Sequence, residues 1–343
     1  MSSYVDRGHR AIRQLALVVT ILTAVGCQSA VPAPLASSAD ATATSPIASA
    51  SSRSGRDIPA LANVPVYKGD AARTGVQAGP GPLAHPVEAW RTNIECAITD
   101  HTPVLGSGLL IVGCDAPRVI ALDARTGAVR WSADLAGPMF GSAAIDDDAL
   151  YVSDAGGRLT RRDLATGTEV WSIAVKPFSH PVIVAGRLYV GTRDGRVLGL
   201  DPADGSERWS WQAPSGVGEI IASVAEDAVY ASADDGNLYS VSLKDGTERW
   251  HHHVLSGRVS SPAVSSDTVF VSALQSGEQR AGGLYALDPD TGKERWRFES
   301  PSGDQAAPPT FSDGVVYAPS RNDGLFALDA ATGSVRWSVP GIG

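Results

Sequence analysis

Few residues in this chain have a type and spacing that could do chemistry. His251, His252 and His253 stand together, and neutral imidazoles bind zinc, copper or nickel. On a strand, His251 and His253 point one way and His252 the other. Two rings on one face make half a metal site, with no acid or cysteine assigned to complete it. The run reads as a solvated stretch of an outer strand, and no metal site is expected. The three cysteines are Cys27, Cys96 and Cys114, a set ill suited to zinc. Asp100 beside His101, or His180, comes nearest to an acid–base pair, but no nucleophile is tied to either. These residues describe a binding surface rather than a catalytic centre, and no cofactor is expected.

The elements that must position them repeat. One phrase recurs six times: a short apolar run, Leu-Asp or a variant, a turn with Gly, then Trp after three further residues. It ends at Trp131, Trp171, Trp209, Trp250, Trp296 and Trp337, at spacings of 40, 38, 41, 46 and 41 residues, and Trp90 stands 41 residues before the first. A period near forty is one supersecondary unit copied along the chain. Within Ser210–Trp250 the runs Ile220–Val224, Ala228–Ser232, Leu238–Leu243 and Thr247–Trp250 are separated by turn residues, among them Asp234-Asp235-Gly236. No segment carries apolar residues at helical spacing over a dozen positions, so each unit is four short strands. In Asp-x-x-x-Gly the acid accepts backbone N–H groups and the Gly takes a left-handed conformation. Five copies place Asp there (Asp123, Asp163, Asp201, Asp288, Asp329); the fourth has Ser242 and moves its acid to Asp245. The Trp falls on the outermost strand, where it must pack against the next copy.

These units predict an all-β fold, a β-propeller of four-stranded antiparallel blades. A linear solenoid would need much shorter repeats. Seven blades are favoured, the seventh irregular and built from the N-terminal stretch Val64–Gly81 with Trp90. Six blades with an added outer strand is the alternative. Inter-blade packing is expected of Trp90, Trp131, Trp171, Trp209, Trp250, Trp296 and Trp337.

The phrase resembles the quinoprotein-type propeller repeat, named after the pyrroloquinoline quinone enzymes. WD repeats differ, with Trp-Asp ending the third strand and Gly-His upstream. The stretch Gly69–Trp90 also resembles the lead-in of quinoprotein domains, where Gly-Asp-x-x-Arg-Thr-Gly precedes the first Trp strand. The resemblance covers roughly residues 64–340. It implies a propeller; for function it spans enzymes, assembly-factor lipoproteins similar to BamB and other envelope proteins. The enzymes carry a vicinal Cys-Cys disulfide, a calcium held by carboxylate and amide groups and a Trp stacked on the quinone. This chain has no adjacent cysteines and no Cys-x-x-Cys-His, and its Trp residues are used by the repeat, apart from Trp211.

The N-terminus reads as a processing signal over residues 1–26. Arg7, Arg10 and Arg13 precede an apolar stretch, Leu15–Val25, too short for a permanent span. Thr23-Ala24-Val25-Gly26-Cys27 resembles a bacterial lipobox, which implies cleavage before Cys27 and its lipidation. Ala24 departs from the commoner Leu, and plain secretion with an incidental Cys is the alternative. Residues 27–60 hold little charge and much Ala, Ser, Pro and Thr, a flexible tether that cannot bury a core. The propeller then occupies 61–343. An extracytoplasmic, membrane-anchored lipoprotein is therefore expected, in an oxidising compartment. There Cys96 and Cys114, flanking one hairpin, are either a disulfide or two buried thiols. A hairpin centred near Ser107 would set Cys114 closer to Thr99 or Asp100. The formal charge of −9 argues against nucleic acid.

Aligning the copies on Thr102-Pro103, Ser142, His180-Pro181, Ser261-Pro262 and Ala307-Pro308 gathers a polar set near the axial channel mouth: Asp100, His101, Lys176, His180, Glu219, Arg258 and Asp304. They vary between copies while Trp and Gly do not, as expected of a site grafted on a scaffold. The reading is a non-catalytic binding or scaffold module of the bacterial envelope, assembly-factor-like, whose partner is another envelope protein or a peptide. An extended partner segment could also add to an exposed blade edge. The alternatives are an oxidoreductase relative with a degenerate quinone site and a ligand-binding sensor lipoprotein.

Overall fold

The structure is a computed structural model that describes residues 63–74, 88–98, 102–214, 221–225, 227–233, 235–274, 282–303 and 307–341. The segments expected to be a signal peptide (residues 1–26) and a tether (27–60), with Cys27, and also Asp100, His101, Glu219 and Asp304 lie outside them.

Among the described residues, twenty-five strands form six antiparallel sheets with strands in chain order from one edge to the other. Blade 1 holds β1 (Val104–Gly106), β2 (Leu109–Gly113), β3 (Arg118–Asp123) and β4 (Val129–Asp134). Blade 2 holds β5 (Ala144–Asp146), β6 (Ala149–Ser153), β7 (Arg158–Asp163) and β8 (Glu169–Ala174). Blade 3 holds β9 (Val182–Val184), β10 (Arg187–Gly191), β11 (Arg196–Leu200) and β12 (Glu207–Gln212). Blade 4 holds β13 (Ile221–Ala225), β14 (Ala228–Ser232), β15 (Asn237–Ser242) and β16 (Glu248–His253). Blade 5 divides its inner strand into β17 (Arg258–Val259) and β18 (Ala263–Val264), both paired with β19 (Val269–Leu274), followed by β20 (Gly282–Leu287) and β21 (Glu294–Glu299). The division falls at Ser260-Ser261-Pro262, where the Pro has no N–H to give the ladder. Blade 6 holds β22 (Thr310–Ser312), β23 (Val315–Ser320), β24 (Gly324–Asp329) and β25 (Val335–Val339).

Inner strands of successive blades touch in chain order, as the radial arrangement of a propeller requires. The core lies between blades rather than in one centre: separate apolar clusters join blades 1 and 2, 2 and 3, 3 and 4, 4 and 5, and 5 and 6. The outer-strand Trp of each of blades 1 to 5 that ends the repeated phrase locks into the next blade. The indole N–H of Trp131 donates to Leu164 O at 2.9 Å, Trp171 to Pro202 O at 3.0 Å and Trp209 to Leu243 O at 3.0 Å. Trp250 donates to Pro289 O at 2.8 Å and Trp296 to Ala330 O at 3.0 Å. In every case the acceptor directly follows the residue that opens the turn. The turn Gly of that neighbour lies under the ring: a methyl added to Gly246 (φ 73°) would meet Trp209 at 2.5 Å. The turn motif thus serves two ends, a left-handed backbone and a seat for the indole.

The turn acid does its expected work and more. Asp329 Oδ1 accepts Thr332 N–H at 3.0 Å, while Oδ2 accepts from Arg336 at 2.7 Å. Asp123 with Arg130, Asp201 with Arg208 and Asp288 with Arg295 repeat the arrangement.

The two ends of the series differ from the expectation. Trp90 lies on no strand, yet its N–H donates to Ala124 O at 3.1 Å and its ring covers Gly127. It occupies against blade 1 the seat that Trp131 to Trp296 of the series each take in the following blade. Trp337 is 45% exposed, with Val335 and Val339 exposed beside it. Inter-blade packing does not hold for Trp337 among the described residues, because no further blade stands over β25. Val64–Thr74 builds no seventh sheet there either: it makes one isolated bridge, Val64 to Leu105.

Candidate binding face and hub

Val64–Thr74 runs through the hub and touches every blade. Val64 pairs with Leu105 of blade 1, and Pro65 O accepts Ile145 N–H of blade 2 at 2.8 Å. Val66 is buried in the cluster of blades 2 and 3, Ala71 packs on that of blades 3 and 4, and Ala72 on that of blades 4 and 5. Ala72 O then accepts Val264 N–H of blade 5 at 3.0 Å, and Thr74 O accepts Phe311 N–H of blade 6 at 2.7 Å. This is the stretch Gly69-Asp70-x-x-Arg73-Thr74-Gly75, whose physical work is now visible. Asp70 accepts Thr74 N–H at 2.9 Å and also its hydroxyl, which closes a tight turn. The turn drives Arg73 inward, where the guanidinium is 1% exposed. Lys68 and Arg73 both adopt left-handed backbone, φ 60° and 57°, a conformation costly for residues with a Cβ.

Five side chains meet around this segment. The rings of Tyr67 and His180 stack, and the Arg73 guanidinium carbon lies 5.5 Å from the Tyr67 centroid. Arg73 donates to Ser261 Oγ at 2.9 Å, and the Lys68 ammonium to Pro309 O. Burial, then Arg73, push the Lys68 ammonium down to about 7 against an opposing pull from Asp70. Burial likewise lowers Arg73 to about 10.

One face of the disc carries the loops that cross from an outer strand to the next inner strand, together with the turns joining the middle strands. There Phe140 and Phe178 lie 4.7 Å apart between centroids, and Arg193 covers Phe178 at 4.8 Å and Phe140 at 6.0 Å. The backbone holds them: Phe140 N–H donates to Ser153 O at 2.7 Å, Phe178 N–H to Gly191 O at 2.8 Å, and Arg193 N–H to Lys176 O at 2.9 Å. Both phenyl rings are half-buried, while Arg193 and Lys176 are exposed.

Of the polar set read from the repeat, Lys176 and His180 are placed in full. Lys176 reaches solvent on this face, and His180 turns inward to the hub. Arg258 is placed by its backbone on β17, paired with Leu274. Sequence reasoning passed over Tyr67, Lys68, Arg73, Phe140, Phe178 and Arg193. The Gly-Asp-x-x-Arg-Thr-Gly stretch was the signal for the first three; Phe140 and Phe178 share the frame of Pro138-Met139-Phe140 and Lys176-Pro177-Phe178.

Cys96 and Cys114 are bonded, with Cα atoms 5.8 Å apart. Cys96 is not on the innermost strand. It belongs to residues 88–98, which lie over a face of blade 1 that no other blade covers among the described residues, so hairpin register does not govern the pairing. The same segment is fastened by Thr92 hydroxyl to Gly127 O at 2.6 Å and by Arg118 to Ile94 O at 3.0 Å. His251 and His253 are exposed and His252 is half-buried. His251 pairs with Glu248 at 2.8 Å, and among the described residues no three metal-ligating side chains gather.

A quinone site of the kind the resemblance implies needs a flat slot on the axis, a stacked indole and a carboxylate cluster. Here the axis is filled by Val64–Thr74, and the indoles of Trp90, Trp131, Trp171, Trp209, Trp250 and Trp296 are committed to turn carbonyls of blade edges. The described residues do not fit that group.

Fold and repeat together define a quinoprotein-type β-propeller, all-β over the described residues. A family model described as outer membrane protein assembly factor BamB matches residues 87–220, 177–271 and 234–343. The chain belongs to that family. Among solved structures, BamB from Moraxella catarrhalis aligns at TM-score 0.62 and 21% identity over 74% of this chain and 78% of that one. A computationally designed protein, Ika8, aligns at 0.61 and 15% identity over 72% and 76%. A europium-containing methanol dehydrogenase aligns at 0.59 and 13% identity over 75% and 73%. An assembly factor, a design and a dehydrogenase share the scaffold, so the scaffold does not decide the function. No curated protein sequence matches the chain.

Proposed function

We propose that this chain is an exported, lipid-anchored, non-catalytic binding module of the bacterial envelope, which docks another envelope protein during assembly. The carrying observation is the Phe140–Phe178–Arg193 cluster, rigidly held and half-open on the face beside Lys176. Aromatic rings and Arg are the groups that dominate protein–protein binding energies. The family description supports the class of partner. The hub supports a non-catalytic reading, since the chain's own segment stands where a cofactor would lie. Cys27 would carry the lipid, and residues 28–60 would give the disc its reach from the membrane.

Photo-crosslinking tests this reading in cells. A photoreactive residue at Phe178 should give a discrete adduct with an envelope protein, and one at Arg187, in the turn on the opposite face, should not. The adduct should vanish in Arg193→Ala, a variant that leaves stability near wild type. Equal labelling from both faces, or none from Phe178, would remove the proposed docking site. Cys27→Ser should release the protein from membranes, and retention would remove the anchor.

A further inference from the structure

Among the described residues, the hub holds two cations with no carboxylate bonded to either. The Arg73 guanidinium is fully enclosed; one amino nitrogen donates to Ser261 Oγ at 2.9 Å, and the other, Nη2, has no acceptor among the described residues. The Lys68 ammonium is half-buried on the same segment and, among the described residues, donates to the Pro309 carbonyl alone. The segment's carboxylate, Asp70, turns its oxygens to Thr74 N–H and hydroxyl and acts on Lys68 only through space, without a hydrogen bond to either cation. Neither cation forms an ion pair among the described residues. The Tyr67 ring face gives Arg73 a weak counter-field at 5.5 Å, worth far less than a paired anion. Buried charge is tolerated when paired and fully hydrogen-bonded. A buried guanidinium with an idle N–H, beside a second cation, lacks one multi-acceptor anion.

We infer that Lys68 and Arg73 form a binding site for one small oxyanion at the hub of the disc. Its ligand has several acceptor oxygens within a few ångströms, as phosphate and sulfate do, and would take the idle Arg73 N–H groups and the Lys68 ammonium together. Lys68, the more open of the two, marks the entrance. The site is distinct from the docking face, which rests on Phe140, Phe178 and Arg193, and neither reading depends on the other.

The test uses inorganic phosphate and the full mature chain. Thermal unfolding is followed against phosphate concentration, with sodium chloride holding ionic strength constant. The midpoint should climb with the logarithm of phosphate once the site fills, and the phosphorus resonance of free phosphate should broaden on adding protein. Sulfate should reproduce the shift; an equal response to acetate would extend the ligand class to carboxylates. Lys68→Met should weaken phosphate binding roughly tenfold or more, the order expected for losing one charged hydrogen bond, with near-ultraviolet dichroism unchanged. Arg73→Gln should abolish binding; if that variant does not fold, Lys68→Met decides alone. A phosphate effect no larger than that of matched chloride would overturn the site, and so would an equal effect in Lys68→Met.

Discussion

The rings of Tyr67 and His180 lie face to face, with centroids 4.2 Å apart and planes 5° from parallel, and the same imidazole accepts Ser142 N–H through Nδ1 at 2.6 Å. One side chain thereby joins the hub segment to two successive crossover loops. His180→Ala would leave the buried Ser142 N–H without that acceptor, a loss of about 1–3 kcal/mol. Urea unfolding should show it, whereas Arg193→Ala on the exposed face should change the midpoint little. A midpoint unmoved by His180→Ala would mean that the loops are held by other contacts.

The tryptophans should separate by position. Trp209 is 8% exposed and Trp337 is 45% exposed. Trp209→Ala should cost ~3–5 kcal/mol as a core truncation. Trp337→Ala should cost under about 1 kcal/mol, in the range of exposed substitutions. Equal losses would show that Trp337 is covered in solution.

Two glycines share a left-handed backbone but not their surroundings. Gly108 (φ 75°) has nothing within 4 Å of an added methyl, while at Gly246 (φ 73°) that methyl would meet Trp209 at 2.5 Å. Gly108→Ala should cost about 1 kcal/mol for the conformation alone. Gly246→Ala should cost more and should shift Trp209 fluorescence, since the indole must move.

Acid should act on the turns in a narrow window. Hydrogen bonds from Arg336 and Thr332 hold the Asp329 carboxyl down to about 2, and Arg295 and Thr291 do the same for Asp288. A carboxyl depressed in the fold lends stability that is complete above its unfolded value near 3.8 and is lost as pH falls towards about 2. Carboxyl carbon NMR should find both titrating near that lower limit. Arg336→Gln should raise Asp329 and leave Asp288 unmoved.

The chain stated its scaffold openly because every copy repeats the same solution. Asp, Gly and Trp recur at fixed offsets, and each is required by a local event: an acid that ties a turn, a left-handed residue, a ring that needs a neighbour. The strands of the Ser210–Trp250 copy consequently fell within a few residues of β13 to β16. The hub was opaque for the opposite reason. Val64–Thr74 occurs once, pairs with blades at both ends of the sequence and takes its conformation from those contacts rather than from a period. Arg73 reads as a surface charge until Ser261, 188 residues away, is brought against it. Phe140 and Phe178 likewise gain meaning only when adjacent blades bring their crossover loops together.

The path of that segment also orders events in time. Lys68 finds its partner, Pro309, 241 residues further along the chain. A blade of four neighbouring strands can assemble from contacts close in sequence, as soon as its own stretch is free to fold. The first-made piece of the disc must instead wait for the last-made one before Lys68 and Thr74 find their partners, although Val66 is sheltered as soon as blades 2 and 3 form. Completion is therefore a late, long-range step, and shortening the chain before Pro309 would leave the axle threaded through the earlier blades but unfastened at its far end.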